Sequence, residues 1–124
     1  MIEQGEEEMN YRIKSEYLDM WGAGNIDLLT KKEASDICRG WDQHLEDVMH
    51  QLEPLDMNIA VIVNDADWDK RYAVKTRSAM KAAHEYGSGM RGEQVTILDT
   101  KGREISKVIC GMRGYYRVTG FQMP

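Results

Sequence analysis

The sequence predicts an α+β fold, with a mostly antiparallel sheet and one long and one shorter helix packed on one of its faces. Two segments carry apolar residues at the helical spacing of three and four, and short β-branched runs lie between turn signals. The predicted elements follow in the order β-α-β-β-α-β-β-β, which favours antiparallel pairing. We expect residues 1–8 to form a flexible acidic leader and residues 9–124 to form a single α+β domain.

The clearest element is a helix predicted over residues 30–53. Thr30 and Glu33 have the spacing of a capping box, in which each side chain accepts a hydrogen bond from the other residue's backbone amide. Apolar residues then recur every three or four positions as far as Leu52, and Pro54 is expected to end the helix.

The rest of the chain predicts a second, shorter helix and several strands. The helix is expected from Thr76, as its N-cap, to Tyr86, with Gly87 at the C′ position. Asp99 and Gly102 are typical of a bulged β-hairpin, in which glycine takes the left-handed position. Strands are predicted at residues 9–18, 58–63, 72–75, 95–98, 104–110 and 115–119.

Composition favours a cytoplasmic protein without a membrane segment. No stretch approaches the ~20 apolar residues that span a bilayer, and residues 1–8 are acidic where a secretory signal would be basic. Cys38 and Cys110 are the two cysteines, predicted on a helix and on a strand. Two buried free thiols are favoured over one disulfide bridge, which stays the alternative.

The charge is distributed unevenly along the chain. Residues 1–69 hold 17 Asp and Glu against 5 Lys and Arg, a net charge of −12, and residues 70–124 hold 4 acidic against 11 basic residues, a net charge of +7. The total of −5 therefore conceals two halves of opposite charge. Either like charges gather on separate surfaces, or the two halves neutralise each other within the fold or between copies.

Acidic residues gather on the polar side of the predicted long helix, where Asp42, Glu46 and His50 would stand in a row. Such a face could dock on a basic partner, with exposed loop tryptophans as anchors. The alternative is a solvated face that binds nothing. The candidate partner-binding residues are Asp36, Asp42, Glu46, Asp47, Glu53, Trp21 and Trp68.

The basic second half offers a different binding mode. If its cations converge on one face, they could hold a nucleic-acid backbone while tyrosines stack on bases. The candidate nucleic-acid contacts are Arg71, Lys75, Arg103, Lys107, Arg113, Tyr115 and Arg117.

Catalytic motifs are absent from the sequence. It has no Gly-rich phosphate loop, no nucleophile elbow and no zinc-ligand spacing. Asp65, Asp67 and Asp69 could hold a hard divalent cation after a strand, although a solvated turn explains the same pattern. We therefore expect no enzyme activity and no cofactor, with a divalent-metal enzyme as a remote alternative.

These observations favour a non-enzymatic protein-binding module that acts as a monomer or a homodimer. Small acidic chains without motifs are a common format for phage and mobile-element inhibitors of nucleic-acid enzymes, such as restriction or CRISPR nucleases. A nucleic-acid-binding protein that uses the basic half is the second hypothesis.

Overall fold

Two antiparallel sheets and three α-helices make up the residues that the computed structural model describes, which are 9–21, 27–64 and 69–118. The predicted α+β class is confirmed. The antiparallel pairing is also as predicted, but the chain builds a smaller first sheet and a larger second sheet, each with its own helical layer and its own core, so the helices do not share one face of a single sheet.

The first sheet has the strand order β2-β1-β3, with β1 (Asn10–Ile13), β2 (Leu28–Leu29) and β3 (Leu52–Leu55). Both neighbours pair antiparallel with β1. Pro54 lies inside β3, opposite Tyr11. This position is compatible with proline because β3 is an edge strand, where a missing N–H need not break a ladder.

The predicted helix over residues 30–53 is wrong beyond its first ten residues. Helix α1 (Lys31–Gly40) starts with the predicted capping box, since Glu33 N–H donates to Thr30 Oγ1 over 3.1 Å and Thr30 N–H donates to Glu33 Oε1 over 2.9 Å. The chain then turns at Asp42, whose φ of 63° is left-handed. Helix α2 (Leu45–Val48) and a 3-10 turn at Met49–Gln51 follow before β3.

The apolar periodicity of residues 34–52 has a cause other than one continuous helix. Buried side chains before and after the turn belong to the same core, which lies against the first sheet. That core is formed by Tyr11, Ile13, Trp21, Leu29, Ala34, Cys38, Val48 and Leu52.

The second sheet has the strand order β5-β4-β6-β7-β8, and every pair is antiparallel. Most of the predicted strands are confirmed, and the last one is observed at residues 114–117. The strands are β4 (Asn58–Val63), β5 (Asp69–Val74), β6 (Gln94–Leu98), β7 (Glu104–Gly111) and β8 (Gly114–Arg117).

Helix α3 (Ala79–Tyr86) packs on the second sheet. The second core lies between this helix and strands β4, β6 and β7. Its N-cap is Ser78 rather than Thr76, because Ser78 Oγ accepts the Lys81 N–H over 3.1 Å. Gly87 ends the helix with extended backbone instead of the predicted left-handed turn. The hairpin between β6 and β7 is as predicted, with Gly102 at a φ of 81°.

Arg71 connects the two sheets. Its guanidinium, on a side chain that is 7% exposed, forms a two-point ion pair with Glu33 of α1 at 2.8 and 2.9 Å. The same group donates to the backbone carbonyl of Leu28 over 2.9 Å. One acidic residue of the first half is therefore neutralised by one basic residue of the second half inside the fold.

Cys38 and Cys110 are both free and buried, as predicted. Burial raises the pKa of the Cys38 thiol. Within the described residues, none of the helices has the length and apolar character that a bilayer crossing requires.

Candidate functional site

A cleft of about 480 Å³ opens at the N-terminal end of α3. It lies beside the first half of β7, which extends beyond its pairing with β8. Two arginines line it, Arg77 before the helix and Arg117 at the end of β8, and Lys107 of β7 borders it. Hydroxyl groups of Thr76, Ser78 and Ser106 also line the cleft.

Hydrogen bonds from side chains of β4 and β7 fix the backbone around Arg77. Ser106 Oγ donates to the Arg77 carbonyl over 2.7 Å and accepts the Ala79 N–H over 2.9 Å. Asn58 Nδ2 donates to the Thr76 carbonyl over 3.0 Å. The segment that leads into α3 is therefore held against β7.

The register of the second sheet places Arg117, but not the side chain of Lys107, on the α3 side. Arg117 lies opposite Val108, whose side chain belongs to the core under α3. Successive side chains of a strand point to opposite faces, so Lys107, next to Val108, points to the other face of the sheet. The Lys107 carbonyl accepts the Val118 N–H over 3.0 Å. The forty residues between Arg77 and Arg117 are thus bridged by the packing of α3 on the sheet.

The cleft is electrostatically one-sided. No carboxylate is among its lining residues, and in the described ranges none of Arg77, Lys107 and Arg117 takes part in an ion pair. Arg77 and Arg117 are exposed, and Lys107 is half-buried. Two arginines that share a concave surface without counter-charge can hold an anionic group by charge-assisted hydrogen bonds.

The other predicted basic contacts lie elsewhere or have a structural role. Arg71 is buried against Glu33, and Arg103 pairs with Asp99 at 3.0 Å. Lys75 is exposed directly after β5. Arg113 is exposed in the turn before β8, about 13 Å along the strand from Arg117.

Tyr115 belongs to a buried polar network and is not presented for stacking. Its hydroxyl donates to Glu93 Oε1 over 2.5 Å and accepts the Gly89 N–H over 2.9 Å. Burial and the bond to Glu93 raise the pKa of Tyr115 to about 12. Gly87 lies so close that a Cβ there would collide with the Tyr115 hydroxyl.

Glu93 is the centre of this network, and its side chain is 2% exposed. Besides Tyr115 it accepts two hydrogen bonds from Ser88, from the N–H over 2.9 Å and from the hydroxyl over 2.7 Å. Burial raises the pKa of Glu93, but the bonds from Tyr115 and Ser88 outweigh burial and hold the pKa below its usual range. Sequence reasoning missed Glu93, because a lone glutamate before a strand carries no signal of burial.

The predicted row of acidic residues does not form. Asp42 lies in the turn after α1, Glu46 in α2 and His50 in the 3-10 turn. Asp36 is neutralised on its own helix by Lys32 and Arg39. Asp42, Glu46, Asp47 and Glu53 are exposed, and no ion pair involves them in the described part of the chain.

Trp21 is 5% exposed, so it is not available as an exposed anchor. Its indole N–H donates to Gln51 Oε1 over 2.9 Å, and its ring contacts Trp41 edge to face at 4.9 Å between centroids. Trp41, one of the apolar residues whose spacing predicted the helix over residues 30–53, is 37% exposed. Trp68 lies outside the described residues.

The described residues add no support to the predicted divalent-metal site. Asp65 and Asp67 lie outside the described residues, and Asp69 begins β5. Over 9–21, 27–64 and 69–118, no group of three or more His, Cys, Asp and Glu side chains is arranged to hold a metal ion.

The fold and the cleft together define an α+β protein with a concave cationic surface at one end of its larger sheet. Searches of family models, of curated proteins and of solved structures found no match to this chain. Arg77 was missed as a site residue, and the only signal that could have included it is the excess of basic residues after position 69.

Proposed function

We propose that the protein binds single-stranded nucleic acid, with backbone phosphates held in the cleft by Arg77 and Arg117. The observation that carries the proposal is the convergence of these two arginines, without a carboxylate, on one cleft of about 480 Å³. Arginine and lysine contacts to phosphates supply most of the affinity in sequence-independent nucleic-acid binding.

The shape of the cleft favours a strand over a duplex. A phosphate with its flanking sugars can enter a concave site of this size, whereas a duplex would contact only the rim. The hydroxyl groups of Thr76 and Ser78 add neutral donors of the kind that commonly contact phosphate oxygens.

The acidic surface supports a protein-binding role less well. One of its carboxylates, Asp36, already lies between two cations, and the row through Asp42 and Glu46 is broken by the turn at Asp42. The predicted docking of the remaining acidic residues on the basic surface of an enzyme that this protein would inhibit stays a prediction.

Removing the two arginines is expected to abolish most of the binding. We expect the double variant R77Q/R117Q to bind a fluorescently labelled twelve-nucleotide oligothymidylate at least ~10-fold more weakly than the wild type at 50 mM salt, because two charge-assisted contacts are lost. Glutamine keeps the length and polarity of each side chain. Fluorescence anisotropy measures the affinity.

Arg91 provides a matched control, since it is exposed in the turn before β6 and does not line the cleft. The variant R91Q is expected to bind within about twofold of the wild type, because it removes only a distant, screened charge. Unchanged affinity of the double variant would contradict the proposal, and so would a wild-type protein that does not bind the oligonucleotide at 50 mM salt.

A further inference from the structure

The cleft at the N-terminal end of α3 has an apolar part that phosphate binding does not use. It is lined by Met80 of α3, Ile105 of β7 and Val118 after β8, and all three side chains are half-buried. Met80 and Ile105 also pack against the second core. A ligand that contacted only the arginines would leave this apolar surface in contact with water.

A β-bulge directs Ile105 toward the cleft. Ser106 and Glu104 lie opposite consecutive residues of β6, so Ile105 between them is the extra residue of β7. Ser106 faces α3, because its hydroxyl bonds to the backbone at the start of that helix. In a regular strand the residue before Ser106 would point away from α3. At the bulge, the Ile105 side chain instead packs against the core on the α3 side.

Two hydroxyl groups that line the cleft keep a proton to donate. Thr76 Oγ1 accepts the Ser78 N–H over 3.0 Å, and Ser78 Oγ accepts the Lys81 N–H over 3.1 Å. A hydroxyl has one proton and two lone pairs, so accepting one bond leaves its O–H for a ligand. The Ser106 hydroxyl differs, because it already donates to the Arg77 carbonyl.

Apolar surface, hydroxyl donors and arginines in one cleft fit a nucleotide better than an isolated phosphate. An unpaired base has two apolar faces, and its edges carry oxygen and nitrogen atoms that accept hydrogen bonds. The phosphates of the same nucleotide lie one sugar away from the base. The volume of about 480 Å³ is within the range of pockets that take small organic groups.

We infer that the cleft is also a base subsite, in which one unpaired base of the bound strand lies against Met80, Ile105 and Val118 while the adjacent phosphates contact Arg77 and Arg117. This inference rests on the proposed function of the cleft. It requires a single strand, because the bases of a duplex are stacked and paired and do not enter a protein pocket without unpairing. Two strands of equal charge are then distinguished by whether they carry bases.

The test compares a twelve-nucleotide oligothymidylate with an abasic oligomer of the same length, whose tetrahydrofuran units keep every phosphate and lack every base. Fluorescence anisotropy at 50 mM salt measures both affinities. The wild type is expected to bind the oligothymidylate at least about tenfold more tightly, because its base covers apolar surface that the abasic oligomer leaves in water. Equal affinities would overturn the base subsite and leave the phosphate contacts standing.

The variant M80Q removes an apolar contact at nearly constant side-chain length and without a change of charge. It is expected to bind the oligothymidylate about fivefold more weakly than the wild type and the abasic oligomer within about twofold of it. Met112 provides the matched control, since it is 82% exposed in the turn before β8 and does not line the cleft. M112Q is expected to bind both ligands as the wild type does.

The outcomes separate the two proposals. Because Met80 also packs against the second core, far-UV circular dichroism checks that M80Q folds, and the wild-type comparison does not depend on this variant. A folded M80Q that keeps the wild-type ratio of the two affinities would overturn the base subsite. If R77Q/R117Q keeps its affinity for the abasic oligomer, the proposed function itself is overturned. A wild type that binds neither ligand overturns both.

Discussion

Replacing Glu93 with glutamine is expected to lower the free energy of unfolding by about 2–3 kcal/mol, because buried donors then lose a charged acceptor. The carboxylate accepts from the Tyr115 hydroxyl and from two donors of Ser88. A glutamine amide offers one acceptor oxygen and turns an NH₂ group toward the other donors. Ser88 is exposed and can recover a bond to water, which keeps the cost below that of a fully buried network.

The Glu93 prediction has a defined pH dependence. Because the folded-state pKa of Glu93 lies below the ordinary value of 4.5, its ionised form stabilises the fold above about pH 4.5, and this contribution is lost as pH falls through the lowered pKa. The difference in stability between wild type and E93Q should therefore be largest near pH 7 and shrink below about pH 4. Urea unfolding at both pH values measures it.

Glu85 is the control for Glu93, as it is exposed on α3. E85Q is expected to change stability by less than about 0.5 kcal/mol. An E93Q variant as stable as the wild type at pH 7 would show that the network contributes nothing to folding.

Replacing Arg71 with methionine is expected to cost about 2–3 kcal/mol of stability, since it leaves Glu33 without its partner between the two sheets. Complete burial of the pair would make the loss larger, but the Glu33 side chain is 35% exposed and water can solvate it. Burial raises the pKa of Glu33, and the bonds from Arg71 and Thr30 outweigh burial and lower it. R71M should therefore raise the pKa of Glu33.

The pair of Arg39 with Asp36 provides the matched comparison, because both side chains are exposed, at 67% and 46%. R39M is expected to cost less than about 0.5 kcal/mol, as is usual for a surface ion pair. Chemical denaturation of both variants decides the matter. Equal losses in the free energy of unfolding for R71M and R39M would mean that the ion pair of Arg71 with Glu33 stabilises the fold no more than a surface ion pair does.

The sequence was sufficient to predict the elements whose signals are local. The capping box of Thr30 and Glu33 and the hairpin turn from Asp99 to Gly102 are each decided by residues three apart in the chain. The strand at 58–63 is confirmed for the same reason, since a short β-branched run between turns has few alternatives.

Elements that depend on distant partners were missed. The apolar spacing after Gly40 is helical, but these residues reach the core because the chain turns at Asp42. Periodicity alone does not distinguish one continuous helix from two short helices joined by a turn. Strand β3 contains Pro54 and is stabilised by its pairing with β1, forty residues earlier. Neither pattern contains a local sign of these contacts.

The candidate site could be predicted only in part. Arg117 was among the expected nucleic-acid contacts and lines the cleft, whereas Lys107 points to the other face of the sheet. Arg71 and Tyr115 have structural roles, which a count of charged and aromatic residues does not reveal. The convergence of Arg77 and Arg117 depends on the register between β7 and β8 and on the Ser106 bonds, which no spacing in the sequence indicates.

The salt dependence of oligonucleotide binding tests the phosphate contacts most directly. If two arginines neutralise two phosphates of a single strand, the logarithm of the association constant falls with the logarithm of the salt concentration with a slope of at least about −1.4, so affinity drops about sevenfold or more from 50 to 200 mM salt. The variant R77Q/R117Q should lose about 1.4 units of that slope. An affinity that does not change over this salt range would contradict the account.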